Sequence, residues 1–183
     1  MSVTDKLDLN GYQLMVEVLS QARNLTALGG ELTQLLGGAM GIKGTSIFIL
    51  NPRSEELEVL ASEGLSMDYV KKGPILVDRS IALPRNREPV IIEDISQSDA
   101  LQYPEKARAE GIRSIVSMPV KAGSSVIGAL RLYHSQVWAV TDQEKVLLTA
   151  LAANLGVALR YFRLHTVVRS MKETMDEIHP VWL

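Results

Sequence analysis

Hydrophobic residues in the first forty positions recur with the period of an α-helix. From residue 9 to 22 the recurring apolar positions are Tyr12, Met15, Val16 and Leu19, and a second series with the same period runs from residue 25 to 40. Asn24 is a suitable N-cap for the second series, and the glycines that follow are typical of a helix end. The pattern predicts two helices ahead of the first strand.

The middle of the chain changes to the short apolar runs that are typical of strands. The runs "TSIFIL" and "LEVLASEG", separated by the turn-forming "NPRSEE", predict a first hairpin. Residues 66–72 predict a short helix, and residues 73–89, with three prolines and little periodicity, predict a long ordered loop. A short strand at 90–95 and a short helix at 99–111 complete this part.

The segment "GIRSIVSMPVKAGSSVIGALRLYH" holds two apolar runs around a glycine turn, which predicts a second hairpin. With Ala122 and Gly123 as the central turn residues, Ser117 faces Gly128, and this flat spot would suit the close approach of a helix. The face we expect against helices consists of Ile115, Ser117, Pro119, Val126, Gly128, Leu130 and Leu132.

The other face of this hairpin changes from apolar to polar along its length, as a pocket wall does. Its residues are Ser114, Val116, Met118, Val120, Ile127, Ala129, Arg131 and Tyr133. A solvated sheet margin is the alternative for Arg131 and Tyr133, because such side chains commonly end strands at a surface.

One very long helix is predicted after the second hairpin, beginning at a capping box formed by Thr141 and Glu144. Its apolar seam comprises Leu151, Leu155, Ala158, Phe162, Val168, Met171, Met175 and Ile178, with His165 as an interruption. At ~1.5 Å per residue this helix would be ~55 Å long, which is more than the sheet can cover. Packing of residues 147–159 alone, with a frayed remainder, is one alternative.

Dimerisation through the long helix and the first helix is the interpretation we favour for the uncovered seam. The residues expected in that interface are Tyr12, Met15, Leu19, Leu155, Phe162, Met171 and Met175.

Composition narrows the class of protein. The 183 residues are 46% hydrophobic and carry a net charge of −2, which fits one α+β domain with a mostly antiparallel sheet and argues against nucleic acid as a partner. The start of the chain lacks the pattern of a secretory signal, and no run approaches the ~20 uninterrupted apolar residues of a membrane span. A soluble cytoplasmic protein without a membrane partner is expected.

The chain contains no cysteine, which excludes disulfides, thiolate nucleophiles, thiolate metal ligands and thioether-linked chromophores. The histidines His134, His165 and His179 are not within one helical turn of each other, so neither a metal site nor a haem ligand is expected. Phosphate-loop and serine-hydrolase motifs are also absent from the sequence. We therefore expect no catalytic residue, no metal and no cofactor.

The phrases "SIFIL", "EPVIIEDISQSDA", "GIRSIVSMPVKAGSSVIGALRLYH" and "VTDQEKVLLTALAANLGVAL", in this order, resemble a GAF domain. The resemblance covers roughly residues 25–163 and is most specific from 111 to 128. It implies a central antiparallel sheet with helices on one face and a loop-covered ligand pocket on the other, in proteins that sense small molecules and often dimerise through terminal helices. Residues 1–24 would then be an N-terminal packing helix and 164–183 a helical extension.

The resemblance also orders the possible functions. A covalent bilin and the methionine sulfoxide reductase activity of some members both depend on cysteine and are excluded, and the cyclic-nucleotide signature Asn-Lys-Phe-Asp-Glu cannot be placed. We expect a non-catalytic sensory domain that binds an unidentified small molecule and acts as a homodimer. The expected ligand-binding residues are Tyr103, Ser114, Met118, Arg131 and Tyr133.

A ligand-free dimerisation or adaptor module is the alternative function. Because no effector domain is encoded after the long helix, we expect either function to act on a separate effector protein or on a further part of a longer chain, and the sequence leaves both open. The sequence leaves the ligand itself open.

Overall fold

The computed structural model describes residues 6–76 and 88–178, and it confirms an α+β fold with an antiparallel sheet. The helices are α1 (Leu9–Gln21), α2 (Leu25–Met40), α3 (Met67–Val70), α4 (Pro104–Ala109) and α5 (Asp142–Ile178), with a short 3-10 helix at Ile95–Gln97. The strands are β1 (Gly44–Asn51), β2 (Glu56–Glu63), β3 (Ile75–Leu76), β4 (Val90–Ile92), β5 (Ser114–Ala122) and β6 (Ser125–His134).

The six strands of the described residues form one sheet in the order β3-β2-β1-β6-β5-β4, with every neighbouring pair antiparallel. The two predicted hairpins, β1–β2 and β5–β6, lie side by side because β1 pairs with β6. The predicted loop at 73–89 begins with the edge strand β3, and its residues 77–87 lie outside the described residues.

Local capping fixes where the helices begin. Asn24 accepts a hydrogen bond from the backbone N–H of Ala27 at 2.9 Å, which confirms it as the N-cap of α2. The capping box of α5 is also confirmed, since Glu144 accepts from the Thr141 N–H at 2.9 Å and donates its own N–H to Thr141 Oγ1 at 3.1 Å. The Glu144 carboxylate is buried and also accepts from the N–H of Lys6.

Helices α2 and α5 pack on one face of the sheet, α1 packs against both of them, and together they form the main core with the sheet. Its fully buried side chains are Met15, Leu28, Leu32, Leu36, Ile47, Val120, Leu130, Leu132, Leu148, Leu151 and Leu155. A smaller cluster on the opposite face includes Tyr69, Ile92, Ile95, Ala107, Ile112, Ile115 and Tyr133. The two faces of the sheet are therefore covered by different sets of helices.

The register predicted for the β5–β6 hairpin is wrong. Gly123 and Ser124 occupy the turn, one place later than predicted, and a bulge at Ile127 displaces the pairing further. Ser117 consequently lies opposite Arg131, three places further along β6 than predicted. An odd displacement exchanges the two faces of a strand, because side chains alternate from one face to the other.

The exchange affects β5 and leaves the predicted faces of β6 largely correct. Val116, Met118 and Val120 pack in the main core against the helices, whereas Ile115 lies in the cluster on the opposite face. Both assignments are the reverse of those predicted.

Close backbone contacts occur at two glycines. A Cβ at Gly128 would lie 2.1 Å from the carbonyl oxygen of Phe48 in the neighbouring strand, so Gly128 permits strand pairing and does not provide the predicted flat spot for a helix. The close approach of a helix occurs at Gly156 of α5, where a Cβ would lie 1.9 Å from the carbonyl oxygen of Lys121.

Helix α5 continues well beyond the sheet. Its inner face is buried as far as Leu159, and from residue 163 to 175 every described side chain is exposed. The stretch Asp142–Met175 is long and apolar enough on average to cross a bilayer, but core helices of soluble proteins share that composition, and a third of its most apolar window is buried here.

Candidate ligand pocket

A small cavity lies on the sheet face that α1, α2 and α5 leave open. Its volume is about 20 Å³, which is room for one water molecule. The floor belongs to the sheet, and the walls are α3 with the residues after it and the segment that leads into α4. The lining residues are Tyr69, Lys72, Ile75, Leu101, Gln102, Tyr103, Ile115 and Arg131.

Lys72 is held against the cavity by the end of α3. Ser66 caps this helix by accepting from the N–H of Tyr69, and the Lys72 ammonium donates to the Tyr69 carbonyl at 2.9 Å. The same ammonium lies 3.7 Å from the centroid of the Tyr69 ring, which is a cation–π contact. Burial, with the charge of Arg131 as a second cause, lowers the pKa of Lys72 to about 8.

Arg131 rises from the floor of the cavity and is only 4% exposed. Its guanidinium carbon lies 5.1 Å from the centroid of the Phe48 ring on β1. Two cationic side chains, one from β6 and one from the end of α3, therefore line the same small cavity.

Two hydroxyls near the floor are buried. Among the described residues, Ser117 Oγ and Tyr133 Oη make no hydrogen bond of ordinary geometry, which is uncommon for buried polar atoms. Ser117 is paired across the sheet with Arg131, and Tyr133 packs edge-on against Tyr69 with ring centroids 5.7 Å apart. Burial raises the pKa of Tyr133, although the nearby Arg131 and Ser46 side chains oppose that rise.

The segment before α4 fastens the outer wall. Tyr103 Oη donates to the carbonyl of Pro74 at 2.9 Å, and Gln102 Nε2 donates to the same oxygen at 3.0 Å. Gln102 Oε1 in turn accepts from the N–H of Leu76 at 3.2 Å. Gly73 has a φ of +129°, and a Cβ there would lie 2.7 Å from Tyr103 Oη, so the wall closes tightly only with glycine at this place.

Among the described residues, the carboxylate whose charge acts on Lys72 serves another contact. Glu110 accepts hydrogen bonds from the N–H and hydroxyl of Ser66, and it lies 3.8 Å from Lys43 Nζ. Burial by itself would raise the pKa of Glu110, but these donors and the Lys43 charge outweigh it and lower the pKa. Glu110 thereby ties α4 to α3 and to the start of β1.

The structure brings together part of the predicted ligand set. Tyr103 and Arg131 line the cavity, and Tyr133 lies immediately behind the ring of Tyr69. Ser114 instead donates to a backbone carbonyl just after β6. Met118 is 1% exposed in the core against the helices, because the register of β5 differs from the prediction. These last two residues do not line the cavity.

Lys72 and Gln102 are cavity residues that sequence reasoning missed. Nothing in the sequence separates Lys72 from the adjacent Lys71, which is exposed to solvent. Only the geometry of α3 decides which of the two ammonium groups turns inward.

Most residues predicted in a dimer interface near the domain are used within one chain. Met15 and Leu155 are fully buried in the main core, and Leu19 packs against it. Tyr12 accepts a hydrogen bond from Asn154 Nδ2 at 2.9 Å, which joins α1 to α5. Met15 and Leu155 therefore have no exposed surface for an interface, whereas the place of the half-buried Tyr12 and Leu19 in a dimer interface stays a prediction.

The far end of α5 differs, because Met171 and Met175 are 62% and 69% exposed. Phe162 is half-buried at the boundary between the covered and uncovered parts of the helix. These exposed residues belong to a longer stripe on the outer side of α5, which comprises Val146, Val157, Tyr161, Leu164, Val168, Met171 and Met175. We call this set the outer stripe.

A larger groove, of about 990 Å³, lies between the uncovered part of α5, the α1–α2 connection and the β1–β2 turn. Its basic residues Arg23, Arg53, Arg163 and Arg169 are all exposed. This groove is a surface feature of α5 and does not enclose a ligand-sized space in the sheet.

Solved structures with the same fold include GAF domains and an enzyme. The GAF domain of a phosphoenolpyruvate-protein phosphotransferase from Coxiella burnetii aligns with a TM-score of 0.77 and 18% identity, over 87% of this chain and 96% of that one. The nlh2 GAF domain of A. aeolicus in an inactive state aligns at 0.65 and 16%, over 84% and 95%.

The free methionine-R-sulfoxide reductase of Neisseria meningitidis, in complex with its substrate, aligns at 0.73 and 15%, over 90% of this chain and 98% of that one. At these identities the likeness shows the fold alone. No curated protein sequence matches the chain.

The family comparison is more specific than the structural one. The GAF domain family matches residues 24–159, which cover most of the chain and all the strands described above. GAF domains are typically sensory or regulatory, although some proteins with this fold are enzymes. The chain belongs to the GAF domain family.

Proposed function

We propose that this GAF domain is a non-catalytic sensory domain that binds a small molecule in the cavity beneath α3 and α4 and acts in cytoplasmic signal transduction as a homodimer. The observation that carries the proposal is the convergence of Lys72, Tyr103 and Arg131 on an apolar floor formed by Ile75 and Ile115. A few polar groups around an apolar surface are typical of sites for small ligands.

The proposal that the domain is non-catalytic is supported by the chemistry available to it. The full sequence has no cysteine, so the thiol chemistry that reduces a sulfoxide has no nucleophile here. Among the described residues that line the cavity, lysine, arginine, tyrosine and glutamine are suited to binding and orienting a ligand.

The proposal of a homodimer is supported by the outer stripe. From Val157 to Met175 its members follow one another at spacings of four and three residues, which is the pattern of helices that pair along their length. The stripe lies on the side of α5 away from the sheet, so the core does not cover it. A second copy is the occupant we favour, because a twofold axis along α5 would bring each apolar position near its own counterpart.

A ligand-free dimerisation module is a second candidate, and the small size of the cavity favours it. One cheap experiment separates the two. Purified protein is heated with a panel of neutral, cationic and anionic metabolites, and a ligand that binds the folded state raises the melting temperature by mass action. A saturable shift with at least one compound supports the sensory function, and no shift with any compound supports the dimerisation module.

A further inference from the structure

We propose that the cavity binds a small anion, of the size class of nitrate or formate, between the Lys72 ammonium and the Arg131 guanidinium. This inference rests on the proposed sensory function and names the class of its ligand.

The first support is the charge of the cavity wall. Lys72 and Arg131 reach the same space of about 20 Å³ from different elements, and none of the described residues lining it is a carboxylate. Lys72 makes no ion pair within the described part of the chain, and its ammonium has a single backbone oxygen and an aromatic face as partners. An ammonium has three donors, so capacity for an anionic acceptor is left over.

The second support is the position of Glu110, the described carboxylate whose charge acts on Lys72. Glu110 is fixed by two hydrogen bonds from Ser66 and by the Lys43 ammonium. Rotating Glu110 into the cavity to neutralise Lys72 would break both of its hydrogen bonds to Ser66, the N-cap residue of α3. An external anion can supply the missing charge without that loss.

The third support is a buried donor beside the arginine. Ser117 Oγ is fully buried, lies across the sheet from Arg131, and makes no hydrogen bond of ordinary geometry among the described residues. Buried hydroxyls in this state usually face a water molecule or a ligand.

The size of the cavity sets the size of the anion. A space of about 20 Å³ holds one water molecule, so only the smallest anions can enter, and one of three or four heavy atoms requires the lining side chains to move apart. A nucleotide or a sugar phosphate would require Gln102 and Tyr103 to release Pro74. The geometry therefore favours small oxyanions and carboxylates over larger phosphorylated metabolites.

The ionisation of Lys72 gives this binding a pH dependence. The groups that face it are Tyr69, Glu110 and Arg131 from the packed elements, together with Tyr103 on the opposite wall. Burial raises the pKa of Tyr69 and Tyr133, and Glu110 stays ionised because its pKa is lowered. Lys72, with a pKa of about 8, changes charge just above neutral pH.

The test uses methyl-labelled isoleucine in the full chain. Sodium nitrate and sodium formate are titrated separately at pH 7.0, with ionic strength held constant by a bulky sulfonate buffer salt. The methyl signals of Ile75 and Ile115, which line the cavity, are followed, and Ile47 in the opposite core is the internal reference. Comparing the two titrations shows whether the site binds an inorganic oxyanion, a carboxylate or both.

The matched variants are Lys72→Met and Lys71→Met, since the two lysines are adjacent and only Lys72 lines the cavity. We expect saturable shifts in the wild type and in Lys71→Met, and an affinity at least about tenfold weaker in Lys72→Met. Raising the pH from 7.0 to 9.5 should weaken binding by about tenfold in the wild type and leave the residual binding of Lys72→Met unchanged. Unaltered Ile47 signals show that each variant is folded.

Two results would overturn the proposal and leave the sensory function standing: saturable binding of a neutral metabolite with no response to either anion, or equal anion affinity in Lys72→Met and the wild type. If the methyl signals of Ile75 and Ile115 shift with no compound of the metabolite panel, the result would instead contradict the sensory function as well.

Discussion

Gly156 of α5 lies directly against the backbone of Lys121 in β5, so closely that a Cβ at position 156 would be 1.9 Å from the Lys121 carbonyl oxygen. This contact lies beside the bulge of the β5–β6 hairpin, where the strand comes nearest to the helix. Because backbone atoms form both sides of the contact, no change of rotamer can relieve an added methyl group.

We therefore expect Gly156→Ala to lower the free energy of unfolding by about 1–3 kcal/mol, although alanine favours helix formation. The matched control is Gly37→Ala in α2, where an added Cβ meets nothing within 4 Å. That variant should be stabilised by about 0.5–1 kcal/mol, since glycine costs this amount in a helix. Urea denaturation measures both, and equal stabilisation of the two variants would contradict the close contact.

The capping box of α5 gives a second prediction. Glu144 accepts from the Lys6 N–H at 2.7 Å, from Trp138 Nε1 at 3.3 Å and from the Thr141 N–H at 2.9 Å. Glu144→Ala removes the acceptor for all three donors and should cost about 2–3 kcal/mol in thermal or urea unfolding. Asp142→Ala in the same helical turn is the control.

Asp142 is exposed and shares only the favourable charge position near the helix start, so its loss should cost no more than about 0.5 kcal/mol. If the two variants lose the same free energy of unfolding, the buried hydrogen bonds of Glu144 do not stabilise the protein beyond the effect of a charge near the helix start.

The outer stripe predicts the oligomeric state. We expect a dimer at micromolar concentration in sedimentation velocity, and a monomer after the double change Leu164→Glu and Met171→Glu, because charges in an apolar helical seam oppose pairing. The melting temperature of the domain should change little, since both side chains are exposed in the single chain.

The control for this experiment is the double change Thr166→Glu and Ser170→Glu, which adds the same charge on another side of α5. It should remain dimeric. A dimer that survives the changes in the stripe would move the interface elsewhere on the surface, and a monomeric wild type would remove the dimer from the proposed function.

Lys72 also gives a prediction for the stability of the unliganded protein. Its pKa is about 8 in the folded chain and 10.5 without burial, so between these values the unfolded state binds more protons than the folded state. The free energy of unfolding of the wild type, measured relative to that of Lys72→Met, should therefore be lowest below pH 8 and rise as the pH increases from 8 to 10. A flat difference between wild type and variant in urea unfolding across this range would mean that Lys72 is not perturbed.

Features that depend on neighbouring residues in the sequence could be predicted. The N-cap at Asn24 and the box of Thr141 and Glu144 were identified because capping requires a residue type at a fixed spacing of three. The order of strands and helices followed from periodicity for the same reason.

Features that depend on long-range geometry could not be predicted. The turn of the β5–β6 hairpin shifted by one residue because glycine was placed second in the turn, whereas Gly123, with a φ of +64°, is the first of its two residues. The bulge at Ile127 leaves no mark in the sequence. Because of the shifted turn and the bulge, Met118 lies in the core on the opposite face and not in the predicted pocket.

The apolar positions of α5 also could not be assigned to the correct face of the helix from the sequence. A single seam was predicted, but the helix carries two, one against the sheet and one facing outward, and they overlap in sequence around residues 155–162. Only the packing of Leu155 against the sheet separates it from the neighbouring exposed Val157.

The uncovered part of α5 can amplify a small movement of its anchored end. From Phe162 to Ile178 the helix extends about 24 Å past its last contact with the core, at 1.5 Å per residue. For a rigid rod of this length, a tilt of about 5° at the anchored end carries the free end about 2 Å sideways, which matches the size of helix shifts in known switching proteins. A displacement too small to disturb the packing around Gly156 would thus be magnified at Met175.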